Sequence, residues 1–432
     1  MTALITNASP DILYKIFEFT LPTALSDPIK TRVAAADFFS RTSPYNLALT
    51  SRDWRNFVLS SHSLWSSIFL SFDLPSSEDT IVLHDALERH LKRSGEALVT
   101  CSVVLSSRYN ETSAYQIKCC LLKRRRRWKQ ISIYVNPWRS REILLAVKDM
   151  EILYEPRPAE RNTDEGSDIY LPSLTHLEVE VRSLRSALEW MKLAPNLQKF
   201  FLLYISPWSR SEHHLSVISL PALRRLGMDS YFPTQREEDS VGTASTILTH
   251  ITSRALTELR IQLHGVNCDE ALQNFLRQST PPLEILALRV LNYRREDNAQ
   301  REKVLIQAFT LVPSVRNLRI EWFYFPEAIF QALSRSKTIF PALEDLELSE
   351  IVMPVEHFLD VVTSQWRSEH RTLKVITLTG CSSNPLHHHL SFRQRFQEFA
   401  PGDDPFELPD TLAKLREFIS EGLKYSARQY VN

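Results

Sequence analysis

Apolar residues return along this chain in one spelling, L-x-x-L-x-L, behind a short lead-in that often carries proline. The clearest copy is Leu343/Leu346/Leu348 after Phe340-Pro341-Ala342. It recurs at Leu174/Leu177/Val179, Leu197/Phe200/Leu202, Leu223/Leu226/Met228, Leu256/Leu259/Ile261, Leu283/Leu286/Leu288, Val315/Leu318/Ile320 and Leu373/Ile376/Leu378. These eight copies begin 23, 26, 33, 27, 32, 28 and 30 residues apart. Looser copies at Trp65/Ile68/Leu70, Leu98/Cys101/Val103 and Trp128/Ile131/Ile133 extend the series to eleven. The closing L-x-L alternation predicts a strand whose apolar residues point inward. Between strands, 184–191, 246–251, 271–276, 304–311, 328–333 and 358–366 have the spacing of amphipathic helices.

Strand, turn, helix and turn within about 35 residues define a repeat. The period and spelling predict an α/β leucine-rich-repeat solenoid, with a parallel sheet on the concave side and helices outside. A buried leucine contributes about 1.5–3 kcal/mol relative to exposure. One unit of that size cannot offset its chain entropy, so stacking holds the array together. The polar stretch EPRPAERNTDEGSDIY (155–170) reads as an inserted loop, as does the shorter 233–242. From 382 onward, Phe392–Phe399 and Leu412–Leu423 are two amphipathic segments placed to close the open end. The expected division is a helical piece over 1–65, repeats over 66–381 and a helical cap over 382–432.

The first piece has helix signals of its own. Ser9 is a cap, Pro10 suits the first helical position, and Asp11 complements the positive helix end. Ile12, Leu13, Ile16 and Phe17 make one apolar face. Ser43-Pro44 repeats the start, with Leu47, Leu49, Trp54 and Phe57 following and a break near 50–53. Pro10, Ile16-Phe17, Leu47-Ala-Leu49, Arg52-Asp-Trp54 and Leu64-Trp65 together resemble an F-box, the helical motif that docks on the Skp adaptor of cullin-RING ubiquitin ligases. The chain departs from the usual pattern at Ser9, at Thr50-Ser51 and in a long linker after the first helix. That linker, the L-W-S-S-I ending and the Leu91-x-Arg93-Ser94-Gly95 segment are similar to F-box proteins with leucine-rich repeats from mushroom-forming (basidiomycete) fungi. The resemblance implies a non-catalytic substrate receptor that docks the adaptor, and through it cullin, with Pro10, Ile12, Leu13, Ile16, Phe17, Leu47, Leu49 and Trp54. A plain helical cap on the solenoid explains the same amphipathic residues without an adaptor.

Composition narrows the field further. Lys+Arg and Asp+Glu stand at 51 each in 432 residues, which gives no overall pull toward nucleic acid or an anionic membrane. Five cysteines without a C-x-x-C pair, and no basic-plus-apolar leader, point to a reduced cytoplasmic or nuclear setting. No apolar run approaches membrane-spanning length. Eight glycines in the whole chain leave no phosphate-cradling loop, and catalytic signatures such as H-E-x-x-H and G-x-S-x-G are missing, so no cofactor or enzyme activity is expected. His387-His388-His389 point in different directions and read as an exposed turn. Lys123–Arg127 read as a solvated turn or a nuclear-import run.

Specificity therefore belongs to strand positions that alternate with the leucines. Glu178, Phe201, Leu203, Arg260, Arg289, Arg319 and Glu347 are the expected contacts for a protein target. Phe201 and Leu203 are apolar where a solvated strand prefers polar groups, a feature of protein interfaces unless a tail or loop covers them.

Overall fold

A computed structural model describes residues 9–20, 44–72, 77–105, 125–135, 171–181, 184–205, 216–228, 243–264, 266–291, 298–322, 327–336, 338–349, 351, 355–367, 371–379, 381 and 409–428. It divides into two compact units, Met1–Glu212 and His213–Asn432. The polar stretch 155–170, the segment Phe392–Phe399 and the histidine triplet lie outside the described residues.

The first unit opens with helices α1 (Pro10–Thr20), α2 (Pro44–Thr50) and α3 (Arg52–Ser60), followed by a 3-10 turn over His62–Trp65. The capping expected from the sequence is present: the Ser9 hydroxyl accepts from the Ile12 amide at 3.4 Å. Ser51 marks the expected break, its hydroxyl accepting from the Trp54 amide at 3.1 Å. These pieces close on a small core of Phe17, Ala48, Val58, Leu64 and Trp65. Strands β1 (Ser67–Phe72), β2 (Val99–Leu105), β3 (Trp128–Val135), β4 (His176–Val181) and β5 (Lys199–Ile205) then lie side by side in chain order, all parallel. Helix α4 (Ser77–Arg93), which the leucine pattern did not single out, connects β1 to β2, and α5 (Leu184–Leu193) connects β4 to β5.

The second unit repeats one strand–helix step. Strands β7 (Arg225–Met228), β9 (Glu258–His264), β10 (Ile285–Leu291), β11 (Asn317–Trp322), β12 (Asp345–Ser349), β13 (Val375–Thr379) and β14 (Lys424–Arg428) pair in parallel and in order. Helices α6 (Thr243–His250), α7 (Val266–Ser279), α8 (Asn298–Thr310), α9 (Glu327–Arg335), α10 (Val355–Trp366) and α11 (Pro409–Ser420) stand between them. A two-strand ribbon of β6 (Ile218–Ser219) and β8 (Ile251–Thr252) accompanies the first step. Beyond the expected terminal helix, the chain adds β14, which the leucine spelling does not announce.

Register turns the sequence pattern into rows. Leu226, Leu259, Leu286, Leu318, Leu346 and Ile376 are mutual partners across six strands, and so are Met228, Ile261, Leu288, Ile320, Leu348 and Leu378. Both rows are buried. Because side chains alternate, a slip of one residue would expose an entire row, and the apolar spelling thus fixes the register. The proline lead-in has an equally local cause. The amides of Leu174, Leu197, Leu223, Val315 and Leu343 donate to the carbonyls of Leu171, Ala194, Leu220, Val312 and Phe340, at 3.0 to 3.3 Å. Each is a four-residue turn with proline second (Pro172, Pro195, Pro221, Pro313, Pro341), the position where its fixed φ costs nothing.

Candidate interaction surfaces

The helices of the first unit present two faces. Phe17 is fully buried, with the Trp54 ring at 4.7 Å and the Phe57 ring at 5.7 Å. Phe17 therefore belongs to the core and not to a docking surface, because its apolar face is consumed by the helix pair behind it. Leu13, Leu47 and Trp54 are half-buried against the same core. Ile12, Ile16 and Leu49 remain in solvent, at 55%, 40% and 73% exposure. Pro10 opens α1, and its side chain lies outside the described set.

This small core is joined to the strands that follow. The Trp65 indole N–H donates to the Val58 carbonyl at 2.8 Å. Its ring meets Tyr45 at 4.9 Å and His90 at 5.2 Å, while the Arg93 guanidinium lies 4.6 Å over Trp65 and 4.8 Å over Tyr45. His90 is buried, and burial lowers its pKa to about 4. Arg127 corrects the reading of the basic run as a solvated turn. It is buried, its Nε donates to the Ala97 carbonyl at 2.9 Å, and an Nη donates to the Ser94 hydroxyl at 2.6 Å. A guanidinium has five donors, so one arginine can close the whole Ser94–Ala97 turn. Arg126 beside it is exposed.

On the strands, Glu178 and Phe201 are half-buried, and Phe201 packs 5.9 Å from the His176 ring. The Leu203 side chain lies outside the described set. In the second unit, every arginine singled out from the sequence meets a carboxylate on the same face. Arg260 Nε stands 2.7 Å from Glu258, which also meets Arg225 Nε at 3.1 Å. Arg289 Nε stands 2.7 Å from Glu321, and Arg319 pairs with Glu347. Arg260 and Glu258 stand two residues apart on β9, while register brings the others together: Arg225 is opposite Glu258, Arg289 opposite Glu321, and Arg319 opposite Glu347. Sequence spacing marks each residue as outward-facing, but the strand pairing shows which charges meet between strands.

A second ladder runs along the strand entrances. Glu344 accepts from Lys374 Nζ at 2.6 Å and meets Arg316 at 3.3 Å. The Lys374 bond, against an opposing effect of desolvation, lowers the Glu344 pKa. The helices carry ionic contacts that sequence spacing does not pair. Asp269 on α7 and Arg301 on α8 form a two-pronged buried pair, one bond at 3.1 Å. Burial raises the Asp269 pKa, and Arg301 offsets only part of that rise. Glu302 accepts from the Ala328 amide at 2.7 Å and so caps the start of α9 from the preceding helix.

Among the described residues, no group of three histidine, cysteine or acidic side chains could hold a metal ion, and no helix is long and apolar enough to cross a membrane. No protein-family model matches the chain, and no curated protein matches it.

Proposed function

We propose that this chain is a leucine-rich-repeat substrate receptor with an F-box, which docks a Skp-type adaptor through its N-terminal helices and a protein target through its repeat face. The observation that carries the reading is a helical core whose outer side leaves Ile12, Ile16 and Leu49 in water. Apolar side chains held outward on a built core are the usual hallmark of an anchor for another protein. Phe17 and Trp54 then act by holding the helices, while Ile12, Ile16 and Leu49 make contact. The repeat face supplies the target side of the assembly, and catalysis occurs on other subunits.

Co-purification with a Skp-type adaptor tests this. Wild type should retain the adaptor, and the triple variant Ile12→Asp/Ile16→Asp/Leu49→Asp should lose it while melting at the same temperature. Equal retention by both sinks the assignment. The second reading is an interaction scaffold whose helices only cap the first strands. It is favoured by the contacts of Trp65 with Tyr45 and His90, which make the helical piece one body with β1 and α4. An adaptor captured by neither protein supports that version.

A further inference from the structure

In the second unit, the strand positions that alternate with the buried leucine rows carry charged residues, and these charges are unevenly displayed. On β7, β9, β10 and β11 these positions carry four arginines, Arg225, Arg260, Arg289 and Arg319, against two glutamates, Glu258 and Glu321, with Glu347 joining Arg319 from β12. Glu258 lies beneath its two arginines, with 5% of its side chain exposed where Arg225 has 50% and Arg260 42%. Arg319 is likewise 50% exposed, and its partner Glu347 29%. At Arg225, Arg260 and Arg319 the guanidinium is thus more exposed than the carboxylate that holds it, and positive charge is the better displayed. A guanidinium has five donors, more than a single carboxylate can take up.

Register adds a shape to that charge. Ala287 lies between Arg260 and Arg319 in one row, and Arg289 follows two residues further along the strand of Ala287. Two strand spacings put Arg260 and Arg319 about 10 Å apart at the backbone, with a methyl group as the floor between them. We infer that this shallow basic well binds an acidic segment of the protein target, with aspartate or glutamate side chains bridging Arg260 and Arg319. A protein carboxylate is favoured over nucleic acid because Glu347 and Asp345 on the next strand bound the well with negative charge. A long polyanion would have to cross them. The inference rests on the reading that the repeat face holds a protein target.

A random decapeptide library selected against the immobilised full-length chain provides the test, with a fluorescent oligo-dT decamer as the competing probe. Wild type should enrich aspartate and glutamate, and the selected peptides should weaken as salt rises. Arg260→Glu/Arg319→Glu should reduce binding of those peptides by about tenfold or more. Glu347→Gln removes a competing carboxylate and should strengthen binding, a gain that misfolding cannot produce. Peptides without acidic enrichment, unchanged binding by the reversal variant, no gain in Glu347→Gln, or tighter binding of the decamer each overturn the inference. Adaptor capture by the reversal variant is measured in parallel. Its loss in the Ile12/Ile16/Leu49 variant concerns the receptor reading alone, since that variant should select the same peptides.

Discussion

His90 and the Asp269–Arg301 pair show how single polar residues set the behaviour of this protein. His90 is buried against Trp65 with its pKa lowered to about 4, below the ordinary 6.5, chiefly by loss of water. A base whose pKa is depressed by folding must stay neutral in the native state. Its contribution is therefore complete above pH 6.5 and is lost as pH falls toward about 4. The loss across that window is on the order of 3 kcal/mol. Urea unfolding of wild type and His90→Gln should thus diverge in slope between those pH values, the variant being the flatter. Parallel slopes would refute the assignment. Asp269 and Arg301 are both buried, so removing one partner leaves a charge without compensation. Arg301→Met should cost about 3–5 kcal/mol in denaturant unfolding, and adding Asp269→Leu should restore much of it. An additive loss in the double variant would show that the pair is not coupled.

At the level of elements, the sequence announced the strands far better than what joins them. The leucine rows and proline turns follow from local spelling, and the helices 184–193, 327–335 and 355–366 begin within a few residues of where apolar spacing places them. Helix 77–93 and strand 424–428 are not announced by the sequence because neither belongs to the leucine spelling: KYSAR joins the sheet by backbone pairing with Val375–Thr379. Arg127 goes unannounced for a different reason. Within a basic run it looks solvated, yet its guanidinium donates twice to the Ala97 carbonyl thirty residues earlier. Arg127→Lys keeps the charge but not the fork, and should lower stability by about 1.5–3 kcal/mol. Amide exchange should also accelerate in Val99–Leu105 relative to Asp345–Ser349. Equal stability of the lysine variant would reduce the contact to a simple charge effect.

For the molecule as a whole, the N-terminal helices are a cover as well as a candidate anchor. Trp65 and Leu64 are buried by residues of 44–58 and by α4. Deleting residues 1–62 uncovers that core, and the truncated chain should self-associate where full-length protein does not, as read by light scattering after size-exclusion chromatography. A monomeric truncated chain would mean that the repeats need no cover. At the other end, Trp366 Nε1 donates to Glu421 at 2.9 Å, and the Arg371 guanidinium both bonds Glu421 and lies 4.2 Å over the Trp366 ring. That contact ties the last helix and strand to the preceding repeat.

By itself the sequence determined the repeat, the direction in which its leucines point and the places where the chain turns. Those properties depend on residues within a few positions of one another, through side-chain alternation and the fixed φ of proline. Tertiary structure alone decided that Phe17 is core while Ile16 is surface, and that Arg127 is buried. It alone paired Arg319 with Glu347 across 28 residues and Asp269 with Arg301 across 32. Burial and charge pairing depend on which segments become neighbours, and a period of 23 to 33 residues specifies that a neighbour exists without specifying which of its side chains will meet.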